Sequence, residues 1–139
     1  MLDTSAWFAL AESELGADEV EAHVAAAWLG LVSLHASFVS LAELQYIRTN
    51  EQGADSAQKL IAWVKQQPVH WLHSDEALCD EAAKFKAAHK VSFADAFVAA
   101  TAQRLNATLV HKDPEFAALN GVIKLHPLPP KTGAPAKKK

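Results

Sequence analysis

Four carboxylates occupy places where the sequence changes from a predicted strand to a predicted helix. Asp3 follows a short apolar start, Glu43 lies in SLAEL, Asp95 lies in SFAD, and Asp113 comes directly before Pro114. If the strands are parallel, these junctions meet at the carboxyl edge of one sheet, where open α/β folds bind ligands. Clustered carboxylate oxygens are the ligands that Mg²⁺ and Mn²⁺ prefer, and these ions support hydrolysis of phosphodiesters.

Each acid also has a purely structural explanation. The segments Ser40–Glu43 and Ser92–Asp95 match the capping box, and Asp113 before a proline matches an N-cap. We therefore predict Ser40 as a helix N-cap, with Glu43 as the third helical residue. A carboxylate in a first turn gains roughly 0.3–1 kcal/mol from the helix dipole. Capping does not require the acids to converge, whereas a hard cation does, so convergence would favour a metal site.

Short apolar runs alternate with longer helical patterns, which predicts an α/β domain over residues 1–128. We expect a three-layer α/β/α sandwich around a central, mostly parallel five-stranded sheet. The predicted strands cover residues 1–3, 31–38, 69–72, 107–111 and 121–125. The predicted helices cover residues 5–12, 17–28, 41–50, 54–67, 75–89, 93–105 and 114–119.

The charge of the chain is distributed unevenly. The formal net charge is −3, but four of the 13 basic residues lie in the last nine positions. Residues 1–130 therefore carry nine basic and 16 acidic side chains, or about −7. A domain of this sign is not a general nucleic-acid binder, so it would need metal ions or local basic groups to hold RNA. Residues 129–139, rich in Pro and Lys, are predicted to be a disordered basic tail.

The sequence favours a cytoplasmic location. A single cysteine, Cys79, cannot form an internal disulfide, which is typical of reducing compartments. No signal peptide is predicted, because the start reaches Asp3 without a basic segment or a long apolar run. No segment reaches the roughly 20 apolar residues of a membrane span, so no membrane association is expected.

Four motifs resemble those of PIN-domain ribonucleases, and in particular the VapC toxins of toxin–antitoxin systems. They are LDTSAW at 2–7, SLAEL at 40–44, SFADAFVAATA at 92–102 and ATLVHKDPEF at 107–116. The resemblance covers about residues 2–126. It implies a parallel-sheet α/β/α sandwich and cleavage of RNA that depends on Mg²⁺ or Mn²⁺. It also implies a cognate antitoxin that blocks the acidic site, and commonly a homodimer.

Carried over by position, the resemblance assigns catalysis to four acids. Asp3, Glu43, Asp95 and Asp113 would form the acidic quartet. Three of them, Asp3, Asp95 and Asp113, would bind the metal directly, and Glu43 would complete the site or orient a water.

The resemblance also suggests supporting residues. Ser5 matches a hydroxyl that helps order the first acid or a metal-bound water, and Glu115 matches a second acidic position near Asp113. His111 stands where relatives often carry Thr or Ser. Lys112 is a possible phosphate contact because it lies beside Asp113, although a solvated loop lysine is the alternative.

Three functions remain open at this point. The leading hypothesis is an endoribonuclease toxin that hydrolyses phosphodiester bonds in structured cellular RNA. The second is a catalytically silent PIN-like interaction module that keeps its acids for structure or docking. The third, a receiver-type phosphoacceptor, is disfavoured because Lys124 falls inside the last predicted strand and not at the acidic edge.

Overall fold

The computed structural model describes residues 1–130. Most of its α-helices begin and end within a few residues of the predicted boundaries, and the last one matches them. The predicted helix at 114–119 is a 3₁₀-helix at Pro114–Leu119. The α-helices are α1 (Thr4–Ala11), α2 (Ala17–Trp28), α3 (Phe38–Gln52), α4 (Ala54–Lys65), α5 (Glu76–Ala88) and α6 (Phe93–Leu105).

Four short strands pair in parallel, two by two. Strands β1 (His35–Ser37) and β2 (His70–Leu72) form one pair, and β3 (Thr108–His111) and β4 (Lys124–Pro127) form the other. Within each pair, parallel pairing places the carboxyl ends of both strands at the same edge, as the junction acids require.

The N-terminal segment 1–3 joins the two pairs. The Leu2 amide donates to the His35 carbonyl at 2.9 Å, while the Val110 amide donates to the Met1 carbonyl at 2.9 Å. The segment makes a single parallel bridge, Leu2 to Val110, and is not itself a strand. The α/β class is confirmed, but the predicted count of five strands is not, because so few residues of this segment pair.

Alternation along the strands divides the core into two layers of helices. Met1 and Leu109 pack with α5 and α6, whereas Leu2 and Val110 pack with α1, α3 and α4. Successive side chains of extended backbone point to opposite faces, so each neighbouring pair contributes one residue to each layer. This is the predicted three-layer sandwich, and its interior strands are covered on both faces.

The structure corrects the predicted start of α3. This helix begins at Phe38, and the hydroxyl of Ser37 caps it by accepting from the Val39 amide at 3.2 Å. Ser40 is therefore inside the helix, and Glu43 lies in its second turn rather than at its third position. The prediction failed because β1 ends at Ser37 and the helix follows without a connecting loop.

The last strand also lies later than predicted. Residues 120–123 form a turn in which the Val122 amide donates to the Leu119 carbonyl at 2.9 Å. Gly121 has a φ of 83°, which glycine adopts without the steric cost of a side chain. The turn takes up the start of the predicted strand, so β4 begins at Lys124.

No helix among residues 1–130 is both long and apolar enough to span a bilayer. Of the basic tail predicted to be disordered at 129–139, residues 131–139 lie outside the described residues. The division into a domain at 1–128 and a tail at 129–139 stays a prediction.

Candidate active site

Asp3 is buried at the start of α1 and is fixed by the residue two positions later. Its Oδ2 accepts from the Ser5 amide at 3.1 Å and from the Ser5 hydroxyl at 2.5 Å. The same hydroxyl oxygen accepts from the Lys112 amide at 2.8 Å. Ser5 therefore ties the first acid to the backbone that follows β3, and this contact crosses 107 residues of sequence.

Glu43 reaches the same edge from the second turn of α3. Its Oε1 accepts from the Thr4 hydroxyl at 2.7 Å, and that hydroxyl also lies 2.9 Å from the Ser40 hydroxyl. Thr4 and Ser40 are both buried. These contacts orient the carboxylate although it lies too far along the helix to cap it.

Asp95 lies in the first turn of α6, where Ser92 is the N-cap. The Ser92 hydroxyl accepts from the Asp95 amide at 3.0 Å, as one half of the predicted capping box. The Asp95 residue is only 5% exposed, and its Oδ2 is buried without a hydrogen-bond partner among the described residues. A buried oxygen of this kind is costly unless something binds it.

Asp113 and Glu115 bring two further carboxylates to Asp95. Asp113 caps the 3₁₀-helix, and its Oδ1 accepts from the Glu115 amide at 2.9 Å. One carboxylate oxygen from each of Asp95, Asp113 and Glu115 lies within 4.8 Å of the others. Glu115, assigned only a supporting role by the sequence, is thus one of the three most closely grouped acids, and Asp3 lies outside this group.

The pKa values show that the five acids act on one another. Burial raises the pKa of Asp3 from 3.8 to about 6, against the hydrogen bonds from Ser5, and the charges of Glu43 and Asp113 add to the rise. Burial also raises the pKa of Asp95 to about 8, and the charge of Asp3 adds to this rise. The pKa of Glu43 is raised by burial and by Asp113. Each of the four predicted acids therefore lies near at least one of the others, and Glu115 is grouped with Asp95 and Asp113.

The donor set fits a hard divalent cation. All five side chains offer carboxylate oxygens, the ligands preferred by Mg²⁺ and Mn²⁺. The raised pKa values of Asp3 and Asp95 mean that the protein alone does not compensate their negative charge. A cation would compensate it and would also give the unpartnered Asp95 Oδ2 a ligand.

Lys112 has partners other than the predicted phosphate. Its ammonium lies 3.2 Å from Glu14 Oε1 and donates to the Leu15 carbonyl at 2.7 Å. The side chain is 7% exposed, so it joins the α1–α2 loop to the segment after β3. The side chain of Lys112 therefore has a structural role, and only its amide approaches the acidic site, through Ser5.

His111 also supports the site rather than entering it. Its Nδ1 donates to the Asp113 carbonyl at 3.0 Å, and its ring packs on Phe116 with the centroids 5.1 Å apart. Burial lowers the pKa of His111. The residue therefore fixes the turn that carries Asp113.

Sequence reasoning missed two hydroxyl residues that position Glu43. Thr4 is part of the DTS segment, and Ser40 was assigned to a cap that it does not form. The position of Thr4 between Asp3 and Ser5 could have indicated that it contacts the site. Neighbouring residues in the first turn of a helix point in different directions, so Thr4 contacts a different partner from Ser5. The partner of Thr4 lies 39 residues away, so its role depends on tertiary structure.

A parallel α/β/α sandwich with buried carboxylates at the carboxyl edge of its sheet defines the class of this protein. The family model that matches the chain is that of the PIN domain, and it covers residues 1–122. The chain therefore belongs to the PIN domain family. A search of curated proteins found no match to this sequence.

Solved structures with this fold come from toxin–antitoxin complexes and toxins. VapBC2 from Rickettsia felis, bound to a promoter DNA fragment, is 18% identical with a TM-score of 0.73, covering 93% of this chain and 98% of that chain. VapBC-1 from nontypeable Haemophilus influenzae is 21% identical with a TM-score of 0.65, covering 91% and 96%. VapC20 from Mycobacterium tuberculosis, a sarcin–ricin loop cleaving toxin, is 21% identical with a TM-score of 0.65, covering 84% and 92%. At these identities the likeness establishes the shared fold.

Proposed function

We propose that this PIN-domain protein is an endoribonuclease that depends on Mg²⁺ or Mn²⁺ and acts as the toxin of a toxin–antitoxin pair. The observation that carries the proposal is that Asp95, whose buried Oδ2 has no hydrogen-bond partner among the described residues, is grouped with Asp113 and Glu115 and lies near the charge of Asp3. Glu43 in turn lies near Asp3 and Asp113. Helix capping explains why Asp3, Asp95 and Asp113 each lie at a helix start, but it does not explain why their negative charges lie close together. Binding of a cation explains this closeness.

The residues that would hold the ion are Asp95 and Asp113, together with Glu115 and Asp3. Glu43 would complete the site, held by Thr4. When bound, such an ion would neutralise charge on a phosphodiester and make water a better nucleophile. The protein would supply the orientation of three of the acids, because the carboxylates of Asp3, Glu43 and Asp113 each accept a hydrogen bond from a hydroxyl or a backbone amide.

RNA as the substrate is supported by the family, and it fits the negative charge of the domain only if a cation lies at the site. A polyanion cannot approach a body of about −7 without a local source of positive charge. The ion provides this charge at the site, where Lys112 is already engaged by Glu14. The printed name of one structural neighbour describes a toxin that cleaves the sarcin–ricin loop, which supports a structured RNA as the target.

Sequencing of RNA ends tests the proposal. Wild-type protein and Asp95→Asn would be induced in cells, and the new RNA ends would be mapped; purified proteins would then be tested with Mn²⁺ and with EDTA. We expect discrete new ends from the wild type alone, reproduced in vitro with Mn²⁺ and lost in EDTA. Identical ends from a folded Asp95→Asn protein would contradict the proposal and favour the silent interaction module.

A protein partner and a homodimer also belong to this proposal, together with a cytoplasmic location. Neighbours were solved as VapBC complexes, which supports an antitoxin partner. An exposed apolar segment after α2 supports a protein interface, since Leu29 is 75% exposed and Leu31 is 73% exposed. Light scattering of the isolated protein would test the dimer, and a monomeric mass would contradict that part.

A further inference from the structure

One large aromatic side chain is exposed beside the acidic site. Phe93 is the first residue of α6, two positions before Asp95, and is 69% exposed. Helix capping does not account for it, because Ser92 is the cap and the preceding Val91 is the buried apolar residue. Exposing a phenylalanine forgoes the free energy of burying it, and this one stands two residues from Asp95.

Two further aromatic rings hold Phe93 in place. Its ring meets Phe97 edge to face, with the centroids 5.2 Å apart and the planes at 76°. Phe97 meets Phe38 in the same way at 5.6 Å and 82°. Phe38 is the first residue of α3, which also starts at the carboxyl edge of the sheet. The three rings therefore form a row from α6 to α3 at the edge that carries the acids, and the outermost ring is open to solvent.

We propose that Phe93 is a stacking platform for an RNA base next to the phosphodiester that is cut. The inference rests on the proposed function and adds a positioning residue to it. A base stacked on a fixed ring binds without a charged contact. This mode of binding suits an acidic site where the ammonium of Lys112 is paired with Glu14. Edge-to-face contact with Phe97 fixes the ring in advance, so little side-chain entropy is lost on binding.

Fluorescence of 2-aminopurine tests the stacking directly. Short single-stranded RNAs with one 2-aminopurine at successive positions would be titrated with protein in Mg²⁺. We expect quenching at one position, and Phe93→Ala should remove it and weaken binding about tenfold, as expected for the loss of one stacked base. Phe93→Trp should retain both effects, whereas Phe93→Leu should behave like Phe93→Ala.

Trp28→Ala is the matched control. Trp28 is 63% exposed and lies at the end of α2, remote in sequence from the acids, so its loss should change neither quenching nor affinity. Thermal unfolding would verify that every variant is folded. Quenching that survives in Phe93→Ala, or full binding by Phe93→Leu, would overturn the inference. So would a change of oligomeric mass in Phe93→Ala without a change in RNA binding, because the ring would then serve a protein interface.

Cleavage kinetics separate the two proposals. On an RNA that the wild type cuts, Phe93→Ala should raise KM about tenfold and leave kcat nearly unchanged, because the ring positions the substrate and does not touch the reacting atoms. A fall in kcat at constant KM would contradict the positioning role. If the wild type shows quenching that depends on Phe93 but cuts nothing, the nuclease proposal fails, and base stacking on Phe93 is then established without a role in cleavage.

Discussion

Two aspartates at the starts of neighbouring helices have opposite environments. Asp75 caps α5 and accepts from the Leu78 amide at 2.7 Å. Its carboxylate also accepts hydrogen bonds from both terminal nitrogens of Arg104, at 3.1 and 3.2 Å. The hydrogen bonds from Arg104 and Leu78 lower its pKa. Asp95 also lies in a first turn, yet it is buried, no ion pair to it is found in residues 1–130, and its pKa is raised to about 8.

The contrast separates a structural acid from a candidate functional one. Both residues satisfy the sequence rules for a helix start, and both helices pack in the same layer. Only Asp95 lies among other acids, where its ionised form is destabilised until a cation arrives. Position at a helix start therefore does not distinguish a functional acid from a structural one, whereas burial among like charges marks a candidate.

The largest expected difference between the two residues is in catalysis. Asp95→Asn should reduce RNA cleavage by more than about 100-fold. Loss of a residue that only orients a metal ligand costs up to about 100-fold, and loss of a ligand itself should cost more. Asp75→Asn should leave cleavage unchanged, because Asp75 pairs with Arg104 and not with the site. Rates of cleavage of one RNA by equal amounts of folded protein would check this. Equal losses in both variants would remove the distinction.

Metal binding gives the next largest difference. Excess Mn²⁺ should stabilise the wild type by about 2.7 kcal/mol at 100 times its Kd, because the ion binds only the folded site. Asp75→Asn should gain the same stabilisation, whereas Asp95→Asn should gain little. Chemical denaturation with Mn²⁺ and after its removal by EDTA would measure both. An equal gain in Asp95→Asn would place the ion elsewhere.

The pH dependence of stability should reflect Asp95 in the protein without metal. Its pKa is about 8 when folded and 3.8 ordinarily, so between these values the unfolded chain releases a proton that the folded chain keeps. Stability should therefore fall as pH rises from about 4 to about 8. Asp3, with a pKa of about 6, adds to the fall over the lower part of this range.

Denaturation curves in EDTA across this pH range would measure the slope. Asp95→Asn cannot ionise, so its curve should be flatter and its stability at pH 8 higher than that of the wild type. Adding Mn²⁺ to the wild type should reverse the fall, because a bound ion favours the ionised acids. A slope unchanged by Asp95→Asn would contradict the assignment of the effect to this residue.

Local patterns in the sequence predicted most of the fold. Helix α6 was predicted with both of its boundaries, since Ser92 and its apolar residues are local signals. The acidic residues could be found because strand-to-helix junctions share one edge of a parallel sheet. The start of α3 was mispredicted, because Ser37 and Ser40 are equally good caps by residue type and only the end of β1 decides between them.

Side-chain partners across the fold could not be predicted in the same way. Lys112 was a reasonable phosphate contact by its position beside Asp113, but Glu14, 98 residues away, holds its ammonium. Thr4 and Glu43 meet across 39 residues. Such pairs depend on how helices pack on the sheet, which no local pattern encodes. For the same reason the closeness of Glu115 to Asp95 became evident only from the folded chain.

The smallest expected effect is a pH dependence of the opposite sign at Asp75. Because its folded pKa is lowered, Asp75 stabilises the protein above its unfolded pKa and loses this contribution as pH falls through the lowered value. Asp75→Asn should therefore be slightly less stable than the wild type at neutral pH, with the difference vanishing in acid. High salt should reduce the difference too, since the pair with Arg104 is exposed. Thermal unfolding in acid and at neutral pH would detect it. Asp95→Asn is expected to raise stability. If Asp75→Asn also raised it, the two aspartates would not differ as their surroundings indicate.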